Sequence, residues 1–212
     1  MSKTLVFQGD SITDCGRTTC GGAGYPTGLY GPGYPGLIAS WLLGHQPEKE
    51  WQIYNRGISG NRVVDLYARW KIDTLNLNPD IISILIGVND TWHEKGNHNG
   101  VEVPRYEKFY RMLMDWSLEA RPNVKFILLE PFVLPFGAVS GPDWIAEVAE
   151  RGRVVRQIAQ DYKAVFLPVQ SILNDALKRA PQEYWLVDGV HPQPAGHQLI
   201  AEAWLEAAKG LL

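Results

Sequence analysis

Five short apolar runs punctuate the chain, at Leu5 to Phe7, Gln52 to Tyr54, Ile81 to Ile86, Phe126 to Leu129 and Val165 to Leu167. Most are continuous rather than alternating, and a continuous run predicts a strand covered on both faces. Helical periodicities lie between and after them: Val63, Leu66, Tyr67 and Trp70; Phe109, Met112, Leu113 and Trp116; Ile145, Val148, Val155, Ile158 and Tyr162; Leu199, Ile200, Ala203 and Ala207. Spacings of three, four and seven residues are those of helices burying one stripe. The alternation of strand and helix predicts an α/β fold with a parallel five-stranded sheet and helices on both faces, in a single domain over residues 1–212. Glycine and proline concentrate in Cys20 to Gly36 and Pro131 to Pro142, and His93 to Pro104 is polar and glycine-punctuated, so loops are expected there.

Composition narrows the partners. Twenty basic and 23 acidic residues, a formal charge of -3, are scattered without long like-charge runs, which leaves no electrostatic footprint for nucleic acid or a membrane surface. No apolar run approaches the roughly 20 residues of a membrane span. Met1-Ser2-Lys3-Thr4 runs straight into the first strand, so no removable signal segment is expected. Cys15 and Cys20 offer no disulfide framework and are read as reduced thiols of a cytoplasmic protein. Asn89-Asp90-Thr91 matches a glycosylation pattern only formally.

The candidate chemistry sits just past the strands. Gly9-Asp10-Ser11-Ile12 follows the first, with Ser11 four residues after Phe7; Gly57 lies three after Tyr54, and Asn89 three after Ile86. In a parallel sheet the carboxyl ends share one edge, where ligands bind at the switch in strand order. Near the other end, Asp188-Gly189-Val190-His191-Pro192 supplies an aspartate and a histidine three positions apart. Together these are the residue types of a Ser-His-Asp nucleophilic site. Ser11 would attack an ester, His191 would take its proton and return it to the leaving alcohol, and Asp188 would fix the tautomer of His191. An oxyanion hole is expected from the amides of Ser11 and Gly57 and the side chain of Asn89.

The blocks Gly9-Asp10-Ser11-Ile12, Gly57, Gly87-Val88-Asn89-Asp90 and Asp188-Gly189-Val190-His191-Pro192 resemble, in order and spacing, the four motifs of the SGNH hydrolases, also called the GDSL esterase/lipase family. Ile12 departs from the leucine of that name, a change between apolar side chains. The flanks Asp10 to Arg17, Asn55 to Asn61 and Ala195-Gly196-His197 are similar in particular to the acetylxylan-esterase branch. That resemblance implies a flavodoxin-like three-layer α/β/α fold and a serine esterase, without metal or cofactor, acting on short acyl esters of carbohydrates such as acetylated xylo-oligosaccharides. It also suggests homo-oligomers. The same site would serve an acyl-thioester or lysophospholipid hydrolase, and a fold kept without turnover would serve a carbohydrate- or partner-binding protein.

Other motifs carry blander readings. Asp10, Asp14 and Asp90 are expected to hold turns through backbone hydrogen bonds. Gly31-Pro32-Gly33-Tyr34-Pro35-Gly36 formally matches a dinucleotide fingerprint but does not directly follow a strand. His93, Glu94 and His98 lack metal-ligand spacing, with Gly96 and Asn97 expected to interrupt a helix there. Trp70, Trp116 and Trp204 fall on helical stripes and are expected in the core. Trp92 and Trp185 lie three residues from Asn89 and Asp188, where an indole face would either stack on a sugar ring or serve plain packing. The apolar stretch Pro131 to Phe136 should border the same edge, as a leaving-group pocket or a subunit contact.

Overall fold

A computed structural model describes residues 2–18 and 26–212. Cys20 and the start of the first glycine-rich loop lie outside them, so the reading of Cys20 as a reduced thiol falls outside the described residues. The five strands are β1 (Thr4–Gly9), β2 (Gln52–Asn55), β3 (Ile81–Leu85), β4 (Lys125–Leu129) and β5 (Val165–Leu167), within a residue or two of the apolar runs. All pair in parallel in the order β2-β1-β3-β4-β5, in register Val6 with Tyr54, Gly9 with Leu85 and Leu128 with Phe166.

Consecutive strand residues point to opposite faces, and both faces are apolar. Leu5, Phe7, Ile81, Leu85, Ile127 and Leu129 pack with α2 (Tyr34–His45), α7 (Val169–Ala176) and α9 (Pro194–Ala208). Ile82, Ile84, Phe126 and Leu128 pack with α3 (Val63–Asp73), α5 (Val103–Ala120) and α6 (Pro142–Asp161). The result is the three-layer α/β/α arrangement that continuous apolar strands require.

The helical stripes shift in detail. In α5 the buried residues are Tyr106, Tyr110, Leu113, Met114 and Ser117. Phe109 and Trp116, expected in the core, sit at its edge and pack on Tyr67 of α3 with ring centroids 5.5 and 5.6 Å away. On the inner face the Tyr106 hydroxyl donates to the Ile86 carbonyl at 2.9 Å, whereas the buried Tyr110 hydroxyl has no partner among the described residues. In α6 Trp144 replaces Ile145, which is 40% exposed. Two expected loops are partly helical, since Tyr34 to Gly36 opens α2 with a proline in its first turn, and α4 (Val88–Asn97) runs through Gly96 and Asn97. Flanking contacts outweigh the modest helix cost of one glycine. Two short helices, α1 (Ser11–Asp14) and α8 (Gln182–Trp185), complete the set named here. No helix of the described residues is long and apolar enough to cross a membrane.

Trp204 of α9 is fully buried against Phe7 of β1, and its indole N–H donates to Ser83 Oγ of β3 at 2.9 Å. Trp204→Ala should therefore cost about 3–5 kcal/mol, through the cavity and the unpaired hydroxyl. The check is a lower urea midpoint at unchanged m-value, and a midpoint equal to the wild type would refute this role.

Candidate active site

At the carboxyl end of β1, Asp10 caps α1: its Oδ1 accepts the Ile12 N–H at 3.0 Å. That turn starts α1 at Ser11 and presents its side chain to the cavity. Burial pushes the Asp10 carboxyl up to about 7. Ser11 Oγ lies 2.9 Å from His191 Nε2, and His191 Nδ1 lies 2.8 Å from Asp188 Oδ2. The other carboxylate oxygen of Asp188 accepts the N–H groups of Val190 and His191 at 3.0 and 2.9 Å. Partial burial alone would raise the Asp188 carboxyl, but these bonds and the imidazole outweigh it and hold the group below the ordinary carboxylate range. A carboxylate so held accepts from Nδ1–H, leaving Nε2 as the acceptor toward Ser11.

The loop carrying Asp188 and His191 belongs to no strand, so it is held from both sides. Val187 N–H donates to the His191 carbonyl at 2.7 Å and Gln193 N–H to the Trp185 carbonyl at 2.8 Å, around an antiparallel bridge between Leu186 and Pro192. From the loop after β4, Leu134 and Ala138 donate to the carbonyls of Gly189 and Asp188, each at 2.8 Å. Phe132, Val133 and Leu134 are buried. The Pro131 to Phe136 stretch thus braces the Asp188–His191 turn from beneath.

A cavity of about 490 Å³ opens at Ser11 and His191. Asn89 borders it from the first turn of α4; its Nδ2 donates to the Asn61 carbonyl at 3.1 Å, which leaves a second N–H. The expectation for Gly57 needs correcting. Its N–H donates to Asn55 Oδ1 at 3.0 Å, and a Cβ there would stand 2.4 Å from the Asp14 nitrogen, so this glycine wedges the β2 loop against α1. Gly60, at φ +82°, borders the cavity instead, and among the described residues neither its N–H nor that of Ser11 has an acceptor. Asp14 fixes this loop by accepting from both the N–H and the hydroxyl of Ser59, at 3.1 and 2.7 Å. Strand register pointed to Gly57 because it is nearest the strand end; the signal for Gly60 was the Ile58-Ser59-Gly60-Asn61 turn, which carries the chain three residues outward.

The two tryptophans separate. Trp92 lines the cavity, its ring centroid 5.9 Å from that of His191 and edge-on to Trp144. Trp185 is 3% exposed, donates from Nε1 to the Ala180 carbonyl at 3.1 Å and has no open face for a sugar; it is a core residue under the His191 loop. Because α4 continues past Gly96, His93 and Asn97 also reach the cavity, which the expectation of a loop concealed. His98 is exposed, and no group of three or more His, Cys, Asp or Glu is placed to hold a metal among the described residues. Asp90 is buried with its carboxyl pushed up to about 7, and accepts the Val63 N–H at the start of α3 at 3.2 Å.

Residues 7–199 match the model of the GDSL-like lipase/acylhydrolase family. The chain belongs to that family. It is 39% identical to an acetylxylan esterase of Geobacillus stearothermophilus over 96% of this chain and 92% of the relative. Among solved structures, a protein described as a GDSL-like lipase from Parabacteroides merdae superposes with a TM-score of 0.92 at 40% identity, covering 98% of this chain and 96% of that one. The crystal structure of Axe2, an acetylxylan esterase from Geobacillus stearothermophilus, gives 0.83 at 37% identity, over 97% of this chain and 93% of that one.

Behind the His191 loop, His197 accepts the Tyr34 N–H on Nδ1 at 3.2 Å, and its Nε2 lies 3.3 Å from Cys15 Sγ. Burial, with the nearby His191 adding, pushes this imidazole down to about 4. Unfolded, it would titrate near 6.5. Between those values the unfolded chain carries a proton that the folded chain does not, so stability falls as pH drops through that window, by at most about 1.4 kcal/mol per pH unit from this group. His197→Asn should flatten the decline, measured by urea unfolding at about pH 7, 6 and 5; an unchanged slope would contradict a neutral buried His197.

Proposed function

We propose that this protein is a serine esterase that removes acetyl groups from carbohydrates such as xylo-oligosaccharides. The observation that carries the reading is the unbroken hydrogen-bonded line from Ser11 through His191 to Asp188, opening on a cavity bordered by unaccepted backbone N–H groups. His191 Nε2 takes the Ser11 proton as Oγ bonds the acetyl carbon, and the carbonyl electrons move onto oxygen. That oxyanion is received by the amides of Ser11 and Gly60 and by the free N–H of Asn89, donors already oriented before the charge forms. Asp188 stabilises the imidazolium, which protonates the sugar oxygen as the ester bond breaks. Water, deprotonated by His191, then releases acetate from Ser11.

The choice of acyl group and sugar draws on the acetylxylan-esterase relatives and on the cavity wall. Trp92 offers an indole face beside His191, where the leaving alcohol departs, and Ser59, His93 and Asn97 make the wall polar. A long aliphatic chain, as in a lysophospholipid, would leave His93 and Asn97 without partners. The place of action in this reading is the cytoplasm, where Cys15 would stay a reduced thiol.

Ser11→Ala should lower kcat on acetylated xylo-oligosaccharides by at least about 10³-fold at unchanged folding. Ester hydrolysis that persisted would reject Ser11 as nucleophile. Asn89→Ala should lower kcat by roughly 10²- to 10³-fold with little change in KM, the signature of a donor engaged in the transition state. A panel of acetylated sugars and long-chain acyl esters, read by mass spectrometry, tests the substrate class; preference for the long chains would overturn it.

A further inference from the structure

Helix α4 carries more toward the cavity than Asn89. Asn89, His93 and Asn97 follow one another at four-residue spacing, one stripe of the helix, and all three border the space in front of Ser11. His93 Nε2 stands 4.0 Å from where a Cβ on Gly60 would be, so the imidazole edge lies beside the glycine that borders the cavity. Trp92 stands beside it on the His191 side. Among the described residues, neither a ring nitrogen of His93 nor the Asn97 carboxamide makes a hydrogen bond within the chain. By contrast Ser59, the neighbouring polar group, is already engaged by Asp14.

The acetyl methyl occupies little of a 490 Å³ cavity, so most of that space is left for the leaving group. The leaving group proposed above is a sugar, whose hydroxyls both donate and accept. An imidazole always offers at least one N–H and in its neutral form also an acceptor, and a carboxamide offers both. We propose that His93, seconded by Asn97 one turn on, is the specificity-determining residue that reads hydroxyl groups of the leaving sugar, and so separates acetylated carbohydrates from acetates whose alcohol bears no hydroxyl. The inference rests on the carbohydrate reading and extends it: Trp92 supplies area without direction, and the α4 stripe supplies direction. An alcohol without a hydroxyl there would displace water from His93 and Asn97 and return no hydrogen bond, which is how a polar site discriminates against the analogue that lacks a matching group.

The test compares kcat/KM on acetylated xylobiose and on p-nitrophenyl acetate, which share the acetyl group and differ in hydroxyls. In His93→Leu the sugar-to-aryl ratio should fall about tenfold or more, mainly through KM, in line with a lost hydrogen bond. His93→Gln, which keeps a donor and an acceptor, should recover part of it. A ratio equal to the wild type's, whether both rates hold or both fall together, overturns the assignment. Should His93→Leu fail to fold, the wild-type enzyme still decides: O-methylating the hydroxyl neighbouring the acetyl group should cost a comparable factor, and no cost overturns the proposal. A wild type that hydrolyses the aryl acetate but no acetylated sugar rejects the carbohydrate reading and this inference with it. An unaltered ratio in a sugar-selective enzyme rejects the inference alone.

Discussion

The geometry of this protein depends on β1 being paired on both sides by parallel strands. With β2 on one edge and β3 on the other, the carboxyl ends of three strands open into one crevice, and the chain leaves them in different directions. Ser11, Gly60 and Asn89 are separated by tens of residues and share a cavity only because of that pairing. A sheet buried on both faces cannot slip register without exposing apolar side chains, so the positions of the three turns are as rigid as the core.

Asp188 and His191 have no such anchor. They follow α8, not a strand, and their placement is built from backbone hydrogen bonds: the bridge at Leu186 and Pro192, the donations from Leu134 and Ala138, and the two amides that Asp188 itself accepts. The apolar loop after β4 therefore supports the proposed catalytic pair without lining the cavity. The same holds for Trp185 and His197, which lie beneath the loop and fill the space against α2.

Electrostatics divides the site in the same way. Asp188 is partly open and accepts several hydrogen bonds, which keeps it ionised opposite His191. Asp10 and Asp90 are buried, each accepts backbone amides, and burial drives both upward. Three aspartates within a few residues of the proposed catalytic groups thus perform two tasks. Exposure separates them, since solvent and an imidazole reach only Asp188.

Strands, layers, the parallel sheet and the Ser11, Asp188 and His191 set were legible from the sequence, because each has a local signature: a continuous apolar run, a helical period, a motif past a strand end. Asn89 was legible for the same reason. What required the tertiary structure were distances that no local pattern encodes. Gly57 and Gly60 are both glycines after β2, and only the approach of α1 to Gly57, with Asn55 taking its amide, decides that Gly60 borders the cavity. Trp92 and Trp185 have equal sequence offsets from site residues, and packing alone sends one to the cavity and the other into the core. Helix α4 passes through a glycine that propensity would stop at, because burial of its first turn and contact with α6 stabilise it. Sequence determines which groups are available; which of them face one another is decided by long-range packing, whose energies exceed the local preferences that sequence reveals.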